Sequence, residues 1–311
     1  MTVLQAKIYG KNKLTASPSP QLDTEVILQH VTGLDKTRLL FERDTELSPE
    51  QEKSFLESIN LRTTGLPVAY IISEKEFYGY NYYVTPDVLI PKPDTEILVE
   101  KAVEILDEKI NSKLHSGILS ICDMCTGSGC VGLSILKYSL EHKIIPEHNI
   151  PLLILADISS AALNIARKNA ARLFTPEEAA NIRFIQTNLF DSVPGNFDII
   201  VSNPPYIPAE EVRNLLTDGR NEPVLALDGD IDLNGNPTLQ NDGLGIMRNL
   251  VPQAVSRLTA GGALLCESGE YNAQETEELF RQNGLTRTKI HRDLEGQLRV
   301  TEGFKNFSGS F

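Results

Sequence analysis

The sequence predicts an α/β fold, in which a mainly parallel sheet with a terminal antiparallel strand follows a small all-α N-terminal domain. Two observations support this prediction. Before residue 75, apolar residues recur at helical spacing and strands are hard to find. From residue 93 onward, short β-branched runs alternate with longer helical patterns. Such alternation is typical of a parallel sheet that is covered by helices on both faces.

Three segments follow from the change in pattern. Residues 1–74 are predicted to form a helical domain, with Ser48 and Pro49 starting one helix and Gly33 ending another. Residues 75–92 contain five aromatic residues within an alternating pattern, so we expect a β-hairpin linker there. Residues 93–311 are predicted to form the α/β domain, whose last two strands meet near Glu295 and Gly296.

Composition limits the class of protein. No apolar run in the 311 residues approaches the roughly 20 residues that span a bilayer, so we expect a soluble protein without a membrane partner. The net charge of −13 opposes a large nucleic-acid surface, which needs clustered Lys and Arg. The N-terminus lacks the apolar core of a secretory signal, so secretion is not expected. Its three lysines leave a poor transit peptide open, although an ordinary first helix is favoured.

The four cysteines do not form a disulfide framework. Cys122 and Cys125 have the C-x-x-C spacing of a metal or redox pair. No second ligand pair accompanies them, and Cys122 lies in a predicted strand, so we expect no metal site.

A glycine-rich loop connects the first strand of the α/β domain to the following helix. Gly127 and Gly129 allow a tight turn and the close approach of a ligand, and the helix N-terminus adds the positive end of a dipole. The strict G-x-G-x-x-G pattern is not met because Cys125 stands at the first glycine position, so a tight turn without a ligand remains an alternative. The candidate cofactor-binding residues of this loop are Cys125, Thr126, Gly127, Ser128 and Gly129.

The next two strands end in residues that suit an adenosine group. Asp157 could accept hydrogen bonds from both ribose hydroxyls, or it could cap the following helix, although Ser159 is the better cap. Asn188 could meet the edge of the adenine, with Leu189 and Phe190 against its face. Because the carboxyl ends of parallel strands meet at one edge of the sheet, a cofactor with an adenosine end is predicted.

The fourth strand ends in the tetrad Asn203-Pro204-Pro205-Tyr206. The Asn203 carbonyl oxygen can accept from an NH₂ group, and the prolines fix the backbone so that the Pro204 carbonyl turns toward the same pocket. Tyr206 offers a ring against which a flat group can lie. Two acceptors that hold one planar nitrogen suit the methylation of an amide or exocyclic amine, where alignment matters most. A β-turn without catalytic function is the alternative.

This tetrad resembles the NPPY signature of S-adenosylmethionine-dependent amino-group methyltransferases. The stretch "VLIPKPDTEILVE" (88–100), the segment "NEPVLALDG" and the terminal "DLEGQLRVTEG" are similar to the HemK-type release-factor glutamine methyltransferases. The resemblance covers nearly the whole chain. Lys92 stands where that family usually has Arg, which keeps the charge and loses the planar fork of the guanidinium.

The resemblance implies a class I, Rossmann-like methyltransferase fold and S-adenosyl-L-methionine as cofactor. It implies transfer of a methyl group to the side-chain amide nitrogen, N5, of the glutamine in the Gly-Gly-Gln motif of class I peptide-chain release factors. The helical domain would then dock the protein substrate. The catalytic residues that the resemblance implies are Asn203, Pro204 and Tyr206. The implied substrate-binding residues are these three together with Pro205. The implied cofactor-binding residues are those of the loop 125–129 with Asp157, Asn188, Leu189 and Asn203.

Two other functions stay open at this point. A nucleic-acid adenine or guanine methyltransferase would use the same tetrad, but it should carry a basic groove, and this chain is acidic. A non-catalytic S-adenosylmethionine-binding partner would not need an intact tetrad. We further expect a monomer without direct nucleic-acid contact, in the cytoplasm if bacterial and in the mitochondrial matrix if eukaryotic.

Overall fold

The computed structural model describes residues 1–112, 117–146, 149–218, 221–232 and 234–307. The chain divides into two compact units. The first consists of Met1–Glu74 and Leu215–Asn221, and the second of Lys75–Asn214 and Glu222–Phe311. In the described ranges, no helix is both long and apolar enough to cross a membrane.

The first unit is helical, as the apolar spacing predicts. Ser48 accepts a hydrogen bond from the backbone N–H of Gln51, and Pro49 occupies the first helical turn, so the predicted start of that helix is confirmed. Gly33 ends the preceding long helix at a φ of 71°. The helices are α1 (Val3–Lys13), α2 (Pro20–Thr32), α3 (Arg38–Phe41), α4 (Pro49–Thr63) and α5 (Val68–Ile72).

A two-stranded hairpin follows, formed by β1 (Glu74–Phe77) and β2 (Tyr80–Tyr83). Phe77 and Tyr82 are fully buried in the larger hydrophobic core of the second unit. The Tyr82 hydroxyl lies 2.6 Å from the Ser134 hydroxyl oxygen. The hairpin is therefore packed into the core of the second unit.

The described strands of the second unit form one seven-stranded sheet in the order β5-β4-β3-β6-β7-β9-β8. The first five of these strands pair in parallel, and β9 runs antiparallel to both of its neighbours. The predicted mainly parallel sheet with a terminal antiparallel strand is thus confirmed. The strands are β3 (Ser120–Met124), β4 (Leu152–Asp157), β5 (Ile182–Gln186), β6 (Phe197–Ser202), β7 (Leu258–Glu267), β8 (Leu285–Arg292) and β9 (Leu298–Lys305).

Helices cover both faces of the sheet. The described α-helices are α6 (Glu96–Asn111), α7 (Cys130–Glu141), α8 (Ser160–Leu173), α9 (Ala209–Leu215, whose last residue belongs to the first unit), α10 (Gly245–Arg257) and α11 (Ala273–Gln282). Successive residues of a strand point to opposite sides of the sheet. Accordingly, Ile121 of β3 lies in the core cluster with α6, α7 and α8, whereas Cys122 and Met124 lie in a second cluster with α10 and α11.

Candidate cofactor and substrate site

A cavity of about 310 Å³ lies at the carboxyl ends of β3, β4, β5 and β6. Its size falls within the usual range of small-molecule sites, roughly 300–1,000 Å³. The cavity brings together most of the residues that the sequence predicts for the site. These are Cys125, Thr126, Gly127, Ser128, Asp157, Asn188, Leu189, Asn203 and Pro205.

The glycine-rich loop adopts the backbone conformations that its composition predicts. Gly127 and Gly129 have φ values of 54° and 82°, in the left-handed region that favours glycine. Cys125 also has a positive φ, 61°, which is uncommon for a residue with a side chain. A Cβ at Gly129 would come within 2.9 Å of Leu133, so this glycine allows close packing of the loop on the helix and does not itself line the cavity.

The buried carboxyl group of Asp123 holds this loop in place through hydrogen bonds. Its Oδ2 accepts hydrogen bonds from the Thr126 hydroxyl at 2.6 Å and from the Gly132 N–H at 2.9 Å. The side chain is 1% exposed, and burial raises the pKa of its carboxyl to about 7. Asp123 therefore joins the loop, through Thr126, to the first turn of α7, through Gly132. The sequence analysis did not single out this residue.

Asp157 lines the cavity at the end of β4 and does not cap the next helix. Ser159 is the N-cap of α8 and accepts from the Ala162 N–H. The two Asp157 oxygens each accept one backbone hydrogen bond at 2.9 Å, from Gly127 and from Ser159. The Ile158 N–H is a third backbone donor to this carboxyl. Because a carboxylate has about four acceptor sites, Asp157 retains capacity for a ligand. Burial raises the pKa of this carboxyl.

Apolar side chains line the cavity near Asp157. Leu189 is 6% exposed and has a positive φ of 46°. Ile158, directly after the acid, is 46% exposed and also lines the cavity. The sequence analysis missed Ile158, although an apolar residue next to the acid is a readable signal. Phe190, in contrast, packs in the core cluster with α10 and is absent from the cavity wall.

The tetrad lies at the end of β6, and the structure distributes its members. Asn203 lines the cavity, and its Nδ2 donates to the Thr95 hydroxyl oxygen at 3.1 Å. The Tyr206 hydroxyl donates to Glu267 Oε1 at 3.0 Å. Pro205 lines the cavity, whereas Pro204 is buried and neither Pro204 nor Tyr206 is part of the cavity wall. Direct contact of these two residues with a substrate stays a prediction.

Further segments of the second unit also line the cavity. Residues from 87 to 95 and from 223 to 226 contribute to its wall. They are joined by Lys92, whose Nζ donates to Glu222 Oε1 at 2.7 Å. Glu222 is 5% exposed, so the Lys92 ammonium group helps to compensate a buried carboxylate charge. The sequence analysis identified Lys92 as part of the stretch 88–100, but it did not predict that Glu222 is its partner.

Three of the four cysteines lie close to the glycine-rich loop. Cys122 is fully buried in β3, and Cys125 and Cys130 line the cavity. Within the described part of the chain, no group of three or more His, Cys, Asp or Glu side chains could hold a metal ion.

Comparison with known proteins then decides the family. The PrmC N-terminal domain family matches residues 5–72, and the methyltransferase small domain family matches residues 98–221. The release factor glutamine methyltransferase of Haemophilus influenzae is 34% identical over 293 residues, covering 94% of each chain. That of Moorella thermoacetica is 35% identical over 292 residues, covering 93% of each. The chain belongs to the release factor glutamine methyltransferase family.

As a member of this family, the chain is an S-adenosylmethionine-dependent methyltransferase, which confirms the predicted enzyme class and cofactor. The catalytic domain of hMettl16, solved with a MAT2A 3'UTR hairpin, superposes with a TM-score of 0.51 at 13% identity, covering 86% of this chain and 85% of that one. This likeness shows a shared fold and confirms the class I methyltransferase architecture.

Proposed function

We propose that this methyltransferase modifies the side-chain amide nitrogen, N5, of the glutamine in the Gly-Gly-Gln motif of a class I peptide-chain release factor. The observation that carries the proposal is the orientation of Asn203. Its NH₂ group donates to Thr95, so its carbonyl oxygen is the polar atom left to meet a substrate at the cavity. A hydrogen-bond acceptor in that place suits a substrate NH₂ group.

The cavity residues fit S-adenosylmethionine, which supplies the methyl group when it is bound. The Asp157 carboxylate can accept from the ribose hydroxyls at the cavity in addition to its backbone hydrogen bonds. Ile158 and Leu189 provide apolar contact for the adenine, and Asn188 can meet its edge. The loop 125–129 brings backbone close to the ligand, with Gly127 at the cavity wall.

The tetrad would position the substrate nitrogen. An amide nitrogen is a poor nucleophile because its lone pair is delocalised, so alignment with the methyl group is the main contribution that the protein can make. In this proposal the Asn203 side-chain oxygen and the Pro204 backbone carbonyl each accept one hydrogen of the substrate NH₂. Pro205 and the Tyr206 ring confine the plane of the amide, and partial charge that appears on the nitrogen meets fixed acceptors.

The substrate of this chain is a protein in our proposal, because its relatives are named release factor glutamine methyltransferases. The net charge of −13 supports action on a protein without direct nucleic-acid contact. We further propose that the chain acts as a monomer, in the cytoplasm if the source is bacterial and in the mitochondrial matrix if it is eukaryotic. The relatives named above are bacterial, which supports a location in the cytoplasm.

Labelled S-adenosylmethionine tests the proposal directly. The chain is incubated with whole class I release factors, with the same factors carrying Gln→Ala in the Gly-Gly-Gln motif, and with ribosomal RNA and DNA. We expect label only in the unaltered factors, with the methyl group located on the glutamine amide by mass spectrometry. Label in nucleic acid, or equal label in the Gln→Ala factor, would contradict the proposal. The Asn203→Ala variant controls for label transferred by a contaminating enzyme.

A further inference from the structure

A buried carboxyl group lies behind the candidate site and has no part in the function proposed above. Glu267 is the last residue of β7 and is 1% exposed. β7 pairs with β6 so that Cys266 lies opposite Ser202, the residue before Asn203. Burial of a carboxyl group is costly unless its oxygens are hydrogen-bonded, so its partners indicate what the group holds in place.

One hydrogen-bond partner of Glu267 is the tyrosine of the tetrad, and the Thr95 hydroxyl is another. Glu267 Oε1 accepts from the Tyr206 hydroxyl at 3.0 Å, and Oε2 is buried without a hydrogen-bond partner among the described residues. The backbone carbonyl of Tyr206 accepts from Asn272 Nδ2 at 3.1 Å and from the Tyr271 hydroxyl at 3.3 Å. Tyr206 is therefore fixed at its backbone by one set of contacts and at its phenol end by Glu267.

The surroundings of Glu267 make its charge sensitive to pH. Burial raises the pKa of its carboxyl to about 7. The hydroxyl groups of Thr95 and Tyr206 and the positive charge of Arg299 oppose this rise. The titratable and charged groups that face Glu267 from neighbouring elements are Tyr206 after β6, Asp94 before α6, Cys130 at the start of α7 and Arg299 in β9.

We propose that Glu267 is a positioning residue for methyl transfer, which holds the Tyr206 ring in place through the tyrosine hydroxyl. The inference rests on the proposed function, in which this ring confines the substrate amide. An ionised carboxylate is a stronger acceptor for the hydroxyl than a neutral carboxyl group. In the neutral form, a proton on Oε2 would have no acceptor among the described residues. Ionised Glu267 therefore orients Tyr206 better than the protonated form does.

The pH dependence of turnover tests this role. For the native enzyme we expect kcat on the release factor to fall on the acid side of neutrality. Glu267→Gln keeps the shape and one acceptor but cannot ionise. We expect it to lower kcat about 10-fold, the effect of losing a charge-assisted hydrogen bond, and to abolish the acid-side inflection. Affinity for S-adenosylhomocysteine should stay within about twofold, since Glu267 is not part of the cavity wall. Native kcat in this variant, or an unchanged inflection, would overturn the proposal.

A double variant separates action through Tyr206 from a general effect on the fold. Tyr206→Phe keeps the ring and removes the hydroxyl that Glu267 holds. If Glu267 acts through this hydroxyl, the double variant Tyr206→Phe with Glu267→Gln should be about as slow as Tyr206→Phe alone. Fully additive losses would overturn the proposal.

A spectroscopic measurement keeps the test independent of turnover and of the stability of the variants. In the native chain with ¹³C-labelled tyrosine, the Tyr206 signal is assigned by its loss in Tyr206→Phe. We expect it to shift with a midpoint near neutral pH, and to lose this shift in Glu267→Gln. A native Tyr206 signal that is constant over this pH range would overturn the inference. If the native enzyme does not methylate release factors, the proposed function fails, while this titration still decides the coupling of the two residues.

Discussion

The Asn203 amide nitrogen donates to the Thr95 hydroxyl oxygen across 3.1 Å, joining the end of β6 to the turn before α6. Thr95 is 2% exposed, and both residues lie at the cavity wall. An asparagine side chain can rotate to present either its oxygen or its nitrogen. The contact with Thr95 selects the orientation in which the nitrogen is engaged and the oxygen is available to a substrate.

Asn203→Ala should therefore lose catalysis and keep the cofactor. Removal of one positioned polar group in the transition state typically costs about 10²-fold or more in kcat. We expect a loss of this size in methylation of the release factor, and little change in the calorimetric affinity for S-adenosylhomocysteine. Asn164→Ala, on the exposed side of α8, serves as the matched control. Near-native turnover of Asn203→Ala would contradict the assigned role.

Thr95 should act through Asn203. Thr95→Val keeps the shape of the side chain but leaves the Asn203 NH₂ without its acceptor, so the amide is no longer fixed. We expect kcat to fall on the order of 10-fold, in line with the cost of an unsatisfied buried polar group. Thr95→Ser keeps the hydroxyl and should retain most of the activity. Equal rates for the Val and Ser variants would show that the hydroxyl does not matter.

Asp157 is expected to serve cofactor affinity. Asp157→Ala removes the acceptor for the ribose hydroxyls, a charge-assisted interaction worth roughly 1.5–3 kcal/mol, or about 10- to 150-fold in affinity. Because burial raises the pKa of this carboxyl, affinity in the native enzyme should weaken as pH falls and the group is protonated. Calorimetry with S-adenosylhomocysteine at several pH values measures both effects. Asn164→Ala, on the exposed side of α8 and outside the cavity wall, is the control. A loss of affinity in this control as large as that in Asp157→Ala would contradict the role of Asp157.

Asp123 should make the fold less stable as pH rises. Its pKa is about 7 in the folded chain, above the roughly 3.9 expected in the unfolded chain. The folded state therefore binds the proton more tightly, and the stability that this provides is lost as pH rises from about 4 through about 7. Asp123→Asn removes this titration.

Urea unfolding of the native chain and of Asp123→Asn, at about pH 5 and about pH 8, measures the contribution of Asp123. We expect the difference in unfolding free energy between the two chains to shift in favour of the Asn variant at the higher pH. A difference that is independent of pH would show that the Asp123 carboxyl titrates alike in the folded and unfolded chains.

Local sequence patterns predicted where the helices and strands lie. They predicted less well which residues are buried and which elements pack against one another. Strand and helix alternation placed β3 to β7 correctly, because residue periodicity follows the local backbone. The burial of apolar residues does not follow from their type alone, since in α2 Leu22 is 57% exposed while Leu28 is fully buried. The aromatic pattern predicted the hairpin, but the burial of Phe77 and Tyr82 depends on packing against helices distant in sequence.

The convergence of the candidate residues on one cavity was predictable where they lie at strand ends. Gly127, Asp157 and Asn203 each lie at or just after the end of a parallel strand, and such positions meet at one edge of the sheet. Thr95 and Glu267 were not predictable, because they lie far from the tetrad in sequence and no spacing rule connects them to it. They become visible only through their hydrogen bonds to Asn203 and Tyr206.

The final prediction concerns how a protein substrate is recognised. A glutamine side chain is small, so the reaction must draw on binding energy from contacts remote from the reacting nitrogen. We propose that the helical unit provides such contacts. The residues that line the cavity all belong to the second unit, between Asp87 and Ile246. A chain that begins at Lys75 should therefore still bind S-adenosylmethionine.

This shortened chain should methylate a whole release factor far more slowly than the full chain. The loss should appear mainly in kcat/KM, because remote contacts contribute to capture of the substrate. A short Gly-Gly-Gln peptide, which lacks the remote surfaces, should be a poor substrate for both chains and thus reports on the chemical step alone. Circular dichroism and affinity for S-adenosylhomocysteine show whether the shortened chain is folded. A folded short chain that is as fast as the full chain on the whole factor would show that the helical unit does not dock the substrate.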